Sequence, residues 1–214
     1  MLTDKDVDIL CGQDLLGCPS SEALFNTIWL NNTQFFGLRG CEKHRDMRLG
    51  DVERKETADG TTFLEYKERQ TNRRGSKRLS HCEAKMFAVV GSERDPVQAY
   101  DLYAFKRPDG LKTPDGPFYL AINHTTKAVN TIVNLGSSQL TMGVNKLKSR
   151  QKKLDSMLKN LTNHSGRKRT IQKLNDEGVP PTHIMQIFGH KNEQSLNHYS
   201  TLSERQQKKV FPTF

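Results

Sequence analysis

Residues 162–199 read TNHSGRKRTIQKLNDEGVPPTHIMQIFGHKNEQSLNHY, and the order of chemical groups in that stretch decides how the rest of the chain is read. Thr162 or Asn163 is a residue type that caps a helix, and Arg167, Ile171 and Leu174 then follow until Gly178 stops it. Pro180-Pro181 starts a second helix, with Ile184, Ile187 and Phe188 on one side and Gly189 as its C-terminal stop. His164 and Arg167 are three apart at the start of the first helix, which puts them on one face. His190 follows Gly189, and Tyr199 stands nine residues further on, within a short turn or helix over residues 195–199; Ser203 caps a final one.

This stretch overlaps the most basic part of the chain. Of 214 residues, 33 are Lys or Arg and 24 are Asp or Glu, a formal net charge of +9. Between Lys146 and Lys173 there are ten basic residues and one acid, Asp155, so this segment accounts for the whole excess. A neutral body with one concentrated basic stretch fits a polyanionic partner, nucleic acid before an acidic membrane. The plain alternative is a solvated helix face.

Leu, Ile, Val and Phe make up 23% of the residues, above the roughly 20% below which chains tend to stay disordered. The chain can bury a core, and its length suits one domain with a small appendage. No apolar run approaches the ~18 residues needed to span a bilayer. Met1 is followed by Asp4, Asp6 and Asp8, the opposite of a secretory start, so an intracellular protein is expected. Cys11, Cys18, Cys41 and Cys82 form no CxxC pair, and neither His44 nor His81-Cys82 has a zinc-finger partner. Reduced, packed cysteines and no metal site are the reading.

Upstream, Ser20 or Ser21 caps a helix through Phe25, Ile28, Trp29, Phe35 and Phe36 that stops at Gly37, and residues 38–49 form a second helix closed by Gly50. Strands follow at 51–55 and 61–69 around Asp59-Gly60, with a third expected at 77–81 after the Arg73-Arg74-Gly75-Ser76 turn. Asp95-Pro96 opens a helix through Tyr100, Tyr103 and Phe105, residues 108–117 read as a surface loop, and everything from Val129 onward reads as helical and basic. The expected fold is α+β, mainly helical, with a small three-stranded antiparallel sheet.

Gly37-Leu38-Arg39 with Glu42 three residues on, the hairpin over 51–81, His164-Ser165-Gly166-Arg167, Gly189-His190 and Tyr199 together resemble the catalytic domain of the tyrosine recombinase (phage integrase) family. The surrounding wording, Glu68-Arg69-Gln70-Thr71, Thr162-Asn163-His164-Ser165, residues 179–186 and Gly189-His190-Lys191-Asn192, looks like the Crypton-derived eukaryotic branch, which also supplies the C-terminal domain of MYM-type zinc finger proteins. The resemblance implies a domain over residues 22–205, between an N-terminal extension (1–21) and a tail (206–214). Arg39 and Arg167 would neutralise the phosphate with guanidinium forks, His164 would be the acid/base, and His190 would hydrogen-bond the phosphate. Tyr199 would form a 3′-phosphotyrosyl bond while the 5′-oxygen leaves, which conserves the phosphodiester energy and calls for no ATP, cofactor or metal. Glu42 would support the surroundings of Arg39. Lys146, Lys148, Arg150, Lys152, Lys153, Lys168 and Arg169 would contact double-stranded DNA, with a homo-oligomer assembled on it and a nuclear location.

Two departures stand out. The family's lysine, the general acid for the leaving oxygen, falls within a Thr-Lys-Thr-like tripeptide that here reads Thr71-Asn72-Arg73, so Asn72 holds its place. Among Lys67, Arg73, Arg74 and Lys77, Lys77 is the best substitute, because arginine's pKa above ~12 makes it a poor proton donor. Gly166 also sits where an apolar residue is usual. The second departure is that only about 20 residues precede the first domain helix, too few for a core-binding domain, which would leave half of the DNA clamp and fewer phosphate contacts. Two functions stay open: a strand-cutting and rejoining recombinase domain, or a domesticated or truncated module that holds DNA or protein without cutting.

Overall fold

A computed structural model of the chain describes residues 2–38, 40–67, 84–122, 135–139 and 163–188. A helix not expected from the sequence, α1 (Asp4–Gly12), lies within the N-terminal extension. Its signal is the Thr3-x-x-Asp6 capping box: the Asp6 amide donates to Thr3 Oγ1 at 3.2 Å, and the Thr3 amide donates to the Asp6 carboxylate at 2.7 Å. Leu2 and Leu10 anchor it in the protein.

Helix α2 (Ser21–Phe35) is the expected one. Ser20 caps it by accepting the Ala23 amide at 3.1 Å, and its buried positions include Ala23, Leu24, Phe25, Ile28 and Thr33. Burial on more than one side fits its place at the centre, packed against both α4 (Pro96–Phe105) and α5 (Asn163–Asp176). Helix α3 (Gly40–Asp46) is shorter than the residue pattern suggested. Its continuation is stopped because residues 47–50 pair with a neighbouring segment: the Phe118 amide donates to Met47 O (2.9 Å), Leu49 to Gly116 O (3.0 Å) and Gly50 to Pro114 O (2.8 Å).

Strands β1 (Val52–Glu56) and β2 (Thr62–Tyr66) pair antiparallel, with Arg54 opposite Leu64, around the expected Asp59-Gly60 turn. The strand expected at 77–81 lies outside the described residues. The third strand of the sheet is β3 (Ala84–Phe87), which pairs with β2 so that Leu64 faces Met86 across the core side. Helix α4 begins as read: Asp95 caps it through the Val97 amide at 2.9 Å, with Pro96 at the first position.

The 108–117 segment is a strap held from beneath. Buried Arg107 donates to Pro117 O and Phe118 O, both at 2.6 Å, and to Leu111 O at 3.0 Å. The helical reading of the chain beyond Val129 is corrected at residues 135–139. Strand β5 (Leu135–Gln139) pairs antiparallel with β4 (Leu120–Ile122) in a second, two-stranded sheet. Its sequence, Leu-Gly-Ser-Ser-Gln, has a glycine and two serines, weak helix formers that leave pairing with β4 to decide the backbone.

Helices α5 and α6 (Pro181–Phe188) match the sequence reading, and the Val179 amide closes α5 on Leu174 O at 2.9 Å. Among the described residues apolar burial divides in two. A main cluster joins Leu24, Phe25, Ile28, Leu64, Met86, Tyr103, Phe118 and Tyr119, while Ile171, Ile184 and Phe188 form a satellite between α5 and α6. Among the described residues no helix is long and apolar enough to cross a membrane. The expected helices around Ser195 and Ser203 lie outside the described residues.

Candidate active site

Arg167 is the described side chain that joins the motifs. It sits on the second turn of α5, is buried, and donates from Nη1 to Gly37 O at 2.5 Å and from Nη2 to Phe188 O at 2.6 Å. Its guanidinium carbon lies 4.9 Å from the centroid of the Phe188 ring. One planar fork therefore ties the glycine two residues before Arg39 to the phenylalanine two residues before His190. The arrangement is close-packed: Gly37 has φ +61°, and a Cβ added there would lie 2.7 Å from Phe188 Cδ1 and 3.2 Å from Arg167 Nη1. Any L-residue at 37 would be strained in its backbone and would collide with the ring.

His164 lies on the first turn of the same helix, and Glu42 lies on α3. Arg39, Asn72, Lys77, His190 and Tyr199 lie outside the described residues, as do Lys146, Lys148, Arg150, Lys152 and Lys153. Of the residues proposed to contact DNA, Lys168 is half-buried. Arg169 is mostly covered and pairs with Asp4 of α1, which Lys173 also reaches at 2.9 Å. Hydrogen bonds from Lys173 and Arg169 hold the Asp4 carboxyl below its usual range. The first helix thus lays a carboxylate on the basic face of α5. Among the described residues, no group of three or more His, Cys, Asp or Glu is arranged to hold a metal ion.

Gly166, the unusual residue inside His-x-x-Arg, lies against α2. A Cβ there would stand 3.5 Å from both Leu30 Cδ1 and Thr33 Cγ2, ordinary contact distances. Next to it Gln34 is buried, and its Nε2 has no hydrogen-bond partner among the described residues.

A second polar group, unmarked in the sequence, supports α3 from inside. His44 is 1% exposed. Its Nδ1 is 2.7 Å from Tyr119 Oη, its Nε2 is 3.1 Å from Thr33 Oγ1, and Asn32 Nδ2 donates to Tyr119 Oη at 2.9 Å. Burial lowers the His44 pKa to about 3 and raises that of the Tyr119 phenol, so both groups are neutral at physiological pH. Sequence reasoning considered His44 only as a metal ligand; its real partners lie on α2 and before β4, far along the chain.

Comparison with known proteins places the architecture. The profile of a family described as a domain of unknown function (DUF3504) matches residues 2–149. The chain belongs to this family. The matched region takes in Arg39, Glu42 and Asn72 but ends before α5, so the family assignment and the His-x-x-Arg helix rest on separate parts of the chain. Zinc finger MYM-type protein 3 of Homo sapiens is 32% identical over 121 residues, 49% of this chain and 9% of that protein. The Mus musculus protein is 32% identical over 124 residues, again 49% of this chain and 9% of its own length. The chain thus spans a small part of these relatives. Among solved structures, the crystal structure of XerA recombinase superposes with a TM-score of 0.59 at 14% sequence identity, covering 100% of this chain and 64% of that one. The DUF3504 domain therefore has a tyrosine recombinase fold, mainly helical with the small three-stranded antiparallel sheet.

Proposed function

We propose that this DUF3504 domain binds double-stranded DNA and carries the machinery for cutting and rejoining a strand through a 3′-phosphotyrosyl intermediate. The observation that supports the reading is Arg167: it comes from His-x-x-Arg and bonds to the segments that precede Arg39 and His190, 130 residues back and 21 residues on, so three motif segments meet at one guanidinium. In the proposed reaction Tyr199 gives its phenol proton to His164 as Oη attacks the phosphorus, the bond from phosphorus to the 5′-oxygen breaks, and that oxygen leaves as a hydroxyl with a proton from Lys77, the best substitute for the family's lysine. Arg39 balances the charge on the non-bridging oxygens, Arg167, whose fork is held on Gly37 O and Phe188 O, adds its positive field behind them, His164 acts as acid/base, His190 donates to the phosphate and Glu42 supports Arg39. Rejoining is the reverse attack by a 5′-hydroxyl, with no cofactor.

Membership in the Crypton-derived branch, the extent of the recombinase-like domain over residues 22–205, assembly on DNA as a homo-oligomer and a nuclear location belong to the same proposal. The likeness to MYM-type zinc finger protein 3 supports the eukaryotic branch.

A second reading, a module that holds DNA or protein without cutting it, is favoured by Asn72 in the place of the general-acid lysine, since loss of a positioned acid lowers rates by ~10²–10⁴. The two part in one experiment. A nicked suicide duplex incubated with the chain should give a covalent protein–DNA adduct that disappears in Tyr199→Phe. Salt-sensitive binding with no adduct on any duplex would overturn the enzyme reading and leave the module.

A further inference from the structure

We propose that His44 and Tyr119 are positioning residues: with Asn32 and Thr33 they form a one-way hydrogen-bond relay that sets the rotation of α3, the helix to which Glu42 belongs. The inference rests on the reading above only for what Arg39 and Glu42 do.

Helix α3 has seven residues, far fewer than the ~12–15 at which an isolated helix becomes even marginally stable, so its geometry is imposed by what it packs on. Its far end is held where the amides of Leu49, Gly50 and Phe118 bond across to the strap. Its entry follows buried Leu38 and the Gly37 carbonyl bonded to Arg167. Between these two anchors His44 alone, among the described side chains of the helix, is buried with both ring nitrogens bonded.

The bonds have one consistent direction. Thr33 Oγ1 donates to Trp29 O at 2.8 Å, so it accepts from His44 Nε2–H. The neutral ring then accepts at Nδ1 from Tyr119 Oη–H, and the phenol oxygen accepts from Asn32 Nδ2. Turning the ring over would put carbon where both nitrogens stand and lose both bonds at once. A histidine bonded this way holds one rotamer, and with it the helix face opposite. Trp29 and Tyr119 rings, each 5.6 Å from the imidazole by centroid, close the remaining sides. Thr33 links the relay to α5 as well, because its hydroxyl meets His44 while its methyl lies beside Gly166, next to Arg167. The relay therefore sets α3 and the His-x-x-Arg helix against a shared support on α2.

Tyr119→Phe removes one hydroxyl and Thr33→Val another, while Thr33→Ser keeps its hydroxyl and serves as the conservative control. Amide hydrogen exchange is followed on the folded chain. Exchange at residues 41–46 should quicken by about tenfold or more in Tyr119→Phe and in Thr33→Val, stay near wild type in Thr33→Ser, and change little in α4. In the adduct assay Tyr119→Phe should slow the wild-type reaction by about tenfold at unchanged duplex affinity. Exchange within twofold of wild type in both variants, or equal quickening throughout the protein, overturns the relay. If the wild-type chain forms no adduct, the cleavage reading fails, and the exchange data alone still decide the positioning role. Should Tyr119→Phe not fold, the contrast between Thr33→Val and Thr33→Ser carries the test.

Discussion

Replacing Gly37 with alanine probes the junction on which the site depends. Two separate effects act. At φ +61° a residue with a Cβ is less stable than glycine by about 1–2 kcal/mol. The new methyl would also stand 2.7 Å from Phe188 Cδ1, against the ~3.5–4.0 Å of relaxed carbon contact, so the ring must retreat by ~1 Å. Phe188 has little room, because its ring packs with the Arg167 guanidinium and with Ile171 and Ile184 in the satellite cluster. Forced repacking of that kind is destabilising by about 1–3 kcal/mol. Gly37→Ala should therefore lose about 2–5 kcal/mol, a large share of the ~5–15 kcal/mol available to a domain. Urea unfolding with the m-value held constant reads it directly. Trimming the ring should return the steric part, so Phe188→Leu in the Gly37→Ala background should be less damaging than in the wild type, with a coupling of about 1–3 kcal/mol. The reasoning is wrong if Gly37→Ala lowers stability by less than about 0.5 kcal/mol, or if the two substitutions simply add.

Three further outcomes follow from the same structure. Because the His44 pKa is about 3 when folded and 6.5 when free, its contribution is fully present above pH 6.5 and drains away as the pH falls toward 3, by up to ~5 kcal/mol. Stability curves of wild type and His44→Gln should converge over that interval, and parallel curves would refute the assignment. Gly166→Ala finds ordinary contacts on α2 and gains helix propensity, so it should raise stability by about 0.5–1 kcal/mol in thermal unfolding; a loss would mean that α5 packs closer to α2 than described. Arg107→Lys keeps the charge but cannot reach the carbonyls of Leu111, Pro117 and Phe118 together, and should lower stability by about 2–4 kcal/mol. Equal stability would show that the strap holds without it.

What could be read from the chain alone was local. Ser20 and Asp95-Pro96 start helices, Asp59-Gly60 turns a hairpin and Gly178 ends α5, because each of these acts on backbone within a few residues. The failures were local too where the cue was slight, as with the Thr3 capping box, or where pairing overrode it, as in β5. The motif order pointed to a recombinase fold because spacing between chemical groups survives in sequence, and the superposition on XerA recombinase agrees. Tertiary structure decided the rest. The carbonyl that Arg167 holds at Gly37 is 130 residues away, and the hydroxyl that His44 meets at Tyr119 is 75 away. A lone arginine or histidine in a sequence carries no sign of such a partner, since burial and hydrogen-bond geometry exist only once distant segments are packed together. The sequence by itself offered the candidates for phosphate chemistry; folding decided that Arg167 ties the backbone segments that precede Arg39 and His190.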